Sequence, residues 1–159
     1  MDLARDAALL VGRLSMAALF LPSGISKALS FAPFAASLAD KGLPYAEAWA
    51  AAAVAIEILG PVALILGLLP AWTALLLIAF VVAASGLSHR YWEFADAAAR
   101  RSQEINFFKN AAIVAGLLFY SVSGAGAWSI SGLLGSKPPA QEPKAPAQEP
   151  KAPEASQPA

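Results

Sequence analysis

The sequence contains no cysteine. That single absence removes disulfides, thiol redox chemistry and iron–sulfur ligation. Histidine occurs once, as His89, so two imidazoles of one chain cannot hold a haem iron. A metal site would have to be built mostly of carboxylates and amides. No metal site is expected, and no cofactor is encoded by ligands of this chain alone. Charge is scarce as well, at 14% of residues, against about a quarter in soluble domains. Lys and Arg number 11 and Asp and Glu 11, for zero net charge. Nucleic-acid binding is not expected, because it shows as a basic patch or stripe.

What is present is apolar: 58% of the 159 residues, with a mean hydropathy of +0.58. A helix needs about 20 mostly apolar residues to cross the hydrocarbon core. Four stretches qualify, at about 7–27, 45–69, 71–88 and 107–123. Only Leu69-Pro70-Ala71 joins the second to the third, so these two are antiparallel neighbours. The expected fold is all-α, a four-helix transmembrane bundle with short loops, over residues 1–135. The first stretch is not read as a signal peptide, because Arg13 interrupts a long apolar run and three further spans follow. Tyr45, Trp49, Trp72, Tyr91, Trp92 and Trp128 lie near the predicted ends, where interfacial aromatics belong. Alanine runs in the second helix permit close helix approach.

Four spans put both termini on one side. The opposite side carries Lys41, Arg90, Arg100 and Arg101, with Lys27 at its edge; the terminal side carries Arg5 and Lys137. The positive-inside rule then favours cytoplasmic loops and external termini. From about residue 136 the composition changes. AQEPKAP at 140–146 repeats unchanged at 147–153. Frequent proline excludes a regular helix, and alternating Glu and Lys leaves too few apolar groups to fold. Residues 136–159 are therefore expected to form a disordered, polyproline-like tail.

Five ionisable side chains lie inside or at the ends of the spans: Arg13, Lys27, Glu57, His89 and Lys109. A charge at the bilayer centre costs at least about 2.5–3.5 kcal/mol on insertion scales, so such residues face a protein interior or a water-filled cavity. Depth follows from a rise of about 1.5 Å per residue. Measured from the loop side, Arg13 lies roughly 21 Å and Glu57 roughly 18 Å deep. These two are expected to pair near mid-membrane. Lys27, His89, Lys109 and Asn110 fall at loop-side helix ends and are expected to form a polar mouth. Terminal lysines also snorkel to headgroups. Pro22 and Pro61 each free a helical carbonyl, those of Ala18 and Glu57. Gly24 and Gly60 leave room nearby for a backbone or a ligand.

In order and spacing, these residues resemble the DoxX family of small bacterial and archaeal membrane proteins. The resemblance covers about residues 9–131. It rests on Arg13; SGISK at 23–27; Phe34 followed by KGLP at 41–44; IEILGP at 56–61 with Gly67; His89 with Tyr91-Trp92; FFKN at 107–110; and GAGAWSI at 124–130. The chain departs from the family's usual pattern at Pro61, at Ala125 and at Ser131, which puts a role for the exit motif of the fourth span in doubt. The resemblance implies a four-helix membrane protein and, more loosely, a link to respiratory or redox chemistry. The family is named for its likeness to a subunit of a thiosulfate:quinone oxidoreductase.

Three functions are compatible with these residues. In the first, the chain is a membrane subunit of a redox complex that binds a quinone, part of a quinone-linked oxidoreductase rather than a stand-alone catalyst. Lys27, His89, Lys109 and Asn110 then supply hydrogen-bond donors, and Glu57 and Arg13 relay or balance protons. The electrons come from a redox partner protein or the quinone. In the second, the chain is a subunit of a transporter for a small anion or metabolite, which favours a homo-oligomer. In the third, it is a non-catalytic membrane anchor or assembly factor whose buried charges only specify packing.

Overall fold

The structure, a computed structural model, describes residues 2–135; the repeat tail at 136–159 lies outside the described residues. Asp2 starts the first helix, α1 (Leu3–Leu29). Its carboxylate accepts from Arg5 N at 3.3 Å, satisfying an amide with no helical partner. A short helix follows, α2 (Phe31–Asp40). Then come α3 (Ala46–Leu66), α4 (Pro70–Ser88), α5 (Ala97–Ser123) and a last turn, α6 (Ile130–Gly135). Gly67 ends α3 in the left-handed region at φ +63°, and Pro70 opens α4, where its missing N–H costs nothing. Both Pro22 and Pro61 sit within continuing helices.

Four of these helices, α1, α3, α4 and α5, are long and apolar enough to cross a bilayer. The chain is a multi-pass, all-α membrane protein. α1 and α5 overrun the expected spans, however, while α3 stops three residues short of its own. α5 begins at Ala97 rather than 107, capped by Asp96, whose carboxylate accepts from Ala99 N at 2.8 Å. Hydropathy marks where hydrocarbon ends; capping marks where a helix ends, and the two differ by ten residues here. The second difference is α2. The segment between the first two spans is too short to cross and reads from the sequence as a loop. It folds because Ala35 and Leu38 bury against Ala50 of α3, and Pro33 falls in its first turn, where proline is tolerated.

α1 packs on α3, α3 on α4, and α4 on α5, with α2 laid across α3. Phe20, Leu64, Leu77 and Leu117 form the centre. Close approach is set by glycine at two points. A Cβ on Gly24 would lie 2.9 Å from Glu57 Cβ and 3.0 Å from the Glu57 carbonyl oxygen. That oxygen is the one Pro61 leaves without a helical donor. A Cβ on Gly60 would lie 2.7 Å from Leu77 Cδ2. Large apolar side chains such as Phe119, Val122 and Leu59 point outward, as a hydrocarbon solvent requires.

Candidate functional site

Side chains on a helix tilt toward its N-terminus. α1 runs from the terminal end of the bundle to the loop end. Its long side chains therefore reach back toward the terminal end, and that direction decides the partners of both its buried cations. Lys27 reaches inward from the loop end and meets Glu57, with Nζ 2.7 Å from Oε1 and 2.6 Å from Oε2. Ser23, one turn earlier, donates its hydroxyl to the same Oε1 at 3.1 Å. Arg13 reaches away from Glu57. Its Nη1 donates to the Ile65 carbonyl at 2.9 Å and its Nη2 to the Trp128 carbonyl at 2.6 Å.

The expected Arg13–Glu57 pair is thus not formed. Measuring depth along the backbone put both residues at one level but ignored side-chain direction, which moves Lys27 toward Glu57 and Arg13 away from it. Arg13 instead caps another helix. Ile65 lies in the last turn of α3, where carbonyls lack helical donors and the helix dipole favours a cation. The chain just beyond α5 is held by the same end of α1. Asp6 accepts from Ala127 N at 2.9 Å, and Ser129 donates to the Gly126 carbonyl. The GAGAWSI stretch is thereby a structural knot on the terminal side. Asp6, absent from the sequence-based candidates, is one of its anchors; a lone acid at a helix start reads as a dipole effect until its partner is known.

The polar mouth divides in the same way. His89 Nδ1 donates to Gln103 Oε1 at 2.8 Å, joining the end of α4 to the first turns of α5. Asn110 donates to Ser85 Oγ at 2.9 Å, and Ser85 donates to the Val81 carbonyl. Lys109 is exposed and donates to Asn106 Oδ1 within its own helix. His89 and Asn110 are therefore ties between α4 and α5, and Lys109 lies on the surface. Nearby, Tyr91 and Trp92 meet Phe107 edge to face at 5.6 and 5.8 Å, which accounts for two further motifs. Gln103 carried no sequence signal beyond lying one turn or so from charged residues, and Ser23 entered only as part of the SGISK motif.

Of the four, Lys27 lines a cleft. A cleft of about 610 Å³ runs between α2, α3 and α4, within the usual range for small-molecule sites. Its walls are apolar, with Leu38, Trp49, Ile56, Phe80 and Leu87 among them, and Lys27 contributes its charge. Phe34 and Phe80 flank the ammonium, at 5.2 and 5.9 Å from Nζ to the ring centroids. The Lys27 side chain is 29% exposed and that of Glu57 5%. The lysine head is therefore reachable from the cleft, while its counter-ion is sealed behind it. Nζ bonds both Glu57 oxygens and no other acceptor among the described residues, which leaves an ammonium with donor capacity to spare. None of His89, Lys109 and Asn110 lines this space. Among the described residues, no three His, Asp or Glu side chains gather as metal ligands do.

Comparison with known proteins agrees with this architecture. A family model described as DoxX matches residues 8–90, just over half of the chain. The chain is also similar to inner membrane protein YphA of Escherichia coli (strain K12). The two are 28% identical over 127 residues, which cover 80% of this chain and 90% of that protein. No solved structure matches.

Proposed function

The chain belongs to the DoxX family, and on that premise we propose that it is a membrane subunit of a redox complex, receiving a quinone in the cleft beside Lys27 and Glu57. The observation that carries this reading is the join of a long apolar slot to one half-shielded ammonium. A quinone presents the complementary pattern: an isoprenoid tail, a flat ring and carbonyl oxygens that only accept. The free N–H of Lys27 donates to one carbonyl oxygen, Phe34 and Phe80 face the ring, and the alanine-lined walls of α3 and α4 hold the tail. A bound quinone supplies two-electron, two-proton redox chemistry. This chain's residues bind and orient it and hold charge at Lys27 and Glu57; the electrons come from a partner protein.

The test is quinone binding by the purified chain in detergent. Ala53→Leu and Ala84→Leu each place a side chain in the cleft, and Lys27→Met removes the donor. All three abolish or strongly weaken binding, whereas Lys109→Ala leaves it unchanged. Undiminished binding in the two leucine variants refutes the site. In the same reading the chain lies in the inner membrane with its loops cytoplasmic, supported by Lys41, Arg90, Arg100 and Arg101 on the loop side and by the location in the relative's name.

A further inference from the structure

The four spanning helices do not close evenly. α1, α3, α4 and α5 pack in succession, but α1 and α5 are not among the closely packed pairs. They meet through side chains such as Met16, which sits against Gly116. Between them lies a second cleft, of about 230 Å³, on the terminal side of the bundle. Its inner end is made by the buried Leu64, Leu117, Arg13 and Tyr120, and its opening by the exposed Gly12 and Phe119. It therefore opens sideways, toward hydrocarbon.

Two buried polar atoms of residues that line this cleft have no partner. Arg13 is 2% exposed and Tyr120 9%, yet neither Arg13 Nε nor the Tyr120 hydroxyl makes a hydrogen bond. An unsatisfied buried donor costs about 1–3 kcal/mol, and more when charged. Nor does Arg13 meet a carboxylate among the described residues; its bonds are to two carbonyls. A buried cation and a hydroxyl, both with protons to donate, thus belong to the walls of an apolar slot open to the bilayer.

We propose that this cleft is a second ligand site, taking the carboxylate head of a single-chain amphiphile that enters between α1 and α5. One oxygen accepts from Arg13 Nε and from Tyr120. The charge balances the guanidinium, and the alkyl chain leaves past Gly12 and Phe119 into the membrane. Arg13 keeps its structural ties to α3 and Trp128 throughout, since those use Nη1 and Nη2. The site is separate from the Lys27 cleft, with which it shares no lining residue.

The probe is oleate, with its retention on the full-length detergent-solubilised chain measured by native mass spectrometry. Tyr120→Phe keeps the ring and removes the hydroxyl, and weakens oleate binding about tenfold or more. Gly12→Leu abolishes it; Gly12 lines the cleft and a Cβ there meets no atom within 4 Å, so the backbone accepts a side chain at the opening. Ala84→Leu, in the other cleft, leaves oleate binding unchanged, and acetate competes only at far higher concentration. Oleate retention indifferent to both Tyr120→Phe and Gly12→Leu overturns the proposal. So does loss that follows Ala84→Leu instead, or displacement by acetate at equal concentration, which would make the occupant a free anion.

Discussion

Replacing Lys27 by methionine is the sharpest probe of how the bundle tolerates its charges. Methionine matches the lysine stem in bulk, so packing against Phe34 and Phe80 is kept. What is lost is the ammonium 2.6 Å from Glu57 Oε2. The Glu57 carboxylate, whose side chain is 5% exposed, is left with the Ser23 hydroxyl alone. Removing one partner of a buried pair costs about 3–5 kcal/mol, mostly the penalty of the stranded charge. The reverse change, Glu57→Met, strands a charge that is 29% exposed and sits at the end of a flexible stem. That stem can carry it outward, so the cost falls to about 1–3 kcal/mol. Lys27→Met combined with Glu57→Met removes both charges, and apolar replacements of buried pairs are often neutral. The double variant is therefore more stable than Lys27→Met alone, with a coupling of at least about 2 kcal/mol. Reversible unfolding in mixed detergent micelles measures all three. The reasoning fails if Lys27→Met costs no more than Lys109→Met at the surface, or if the coupling is below about 0.5 kcal/mol.

Gly24→Ala drives a Cβ to within 2.9 Å of Glu57 Cβ and 3.0 Å of its carbonyl; α1 and α3 must separate, lowering stability by about 1–3 kcal/mol, read as a fall in melting temperature in detergent. Arg13→Gln breaks the two ties to Ile65 and Trp128, and charged hydrogen bonds of about 1.5–3 kcal/mol each predict a loss of about 3 kcal/mol or more; a thermal melt as high as that of the unaltered chain would contradict the cap on α3. Because the chain has no native cysteine, single introduced cysteines report sidedness cleanly. With external termini, a membrane-impermeant thiol reagent labels Leu134→Cys in intact spheroplasts and reaches Ser102→Cys only after lysis.

The existence of four spans was legible in the sequence because insertion depends on hydropathy summed over about 20 residues, a quantity the neighbours in space do not alter. The room that Gly24 leaves was legible too, and α3 fills it: Ser23, Gly24 and Lys27 all meet Glu57. Helix ends were less legible. The ten residues that open α5, AAARRSQEIN, are too mixed to read as a span and carry only an Asp96 cap, and α2 is a helix because of what lies beneath it.

Partner choice is where tertiary structure ruled. The sequence alone identified Arg13, Lys27 and Glu57 as charges that hydrocarbon will not leave unpaired. It fixed neither which cation would take the single carboxylate nor what the other would do. That was settled by the direction in which α1 crosses the membrane, the N-terminal tilt of its side chains and the place where α3 ends. The same geometry leaves Lys27 open to one cleft and the Nε of Arg13, with the Tyr120 hydroxyl, unsatisfied in another. A one-dimensional pattern gives the cost of burying a charge; only the packed helices give the atoms that answer it.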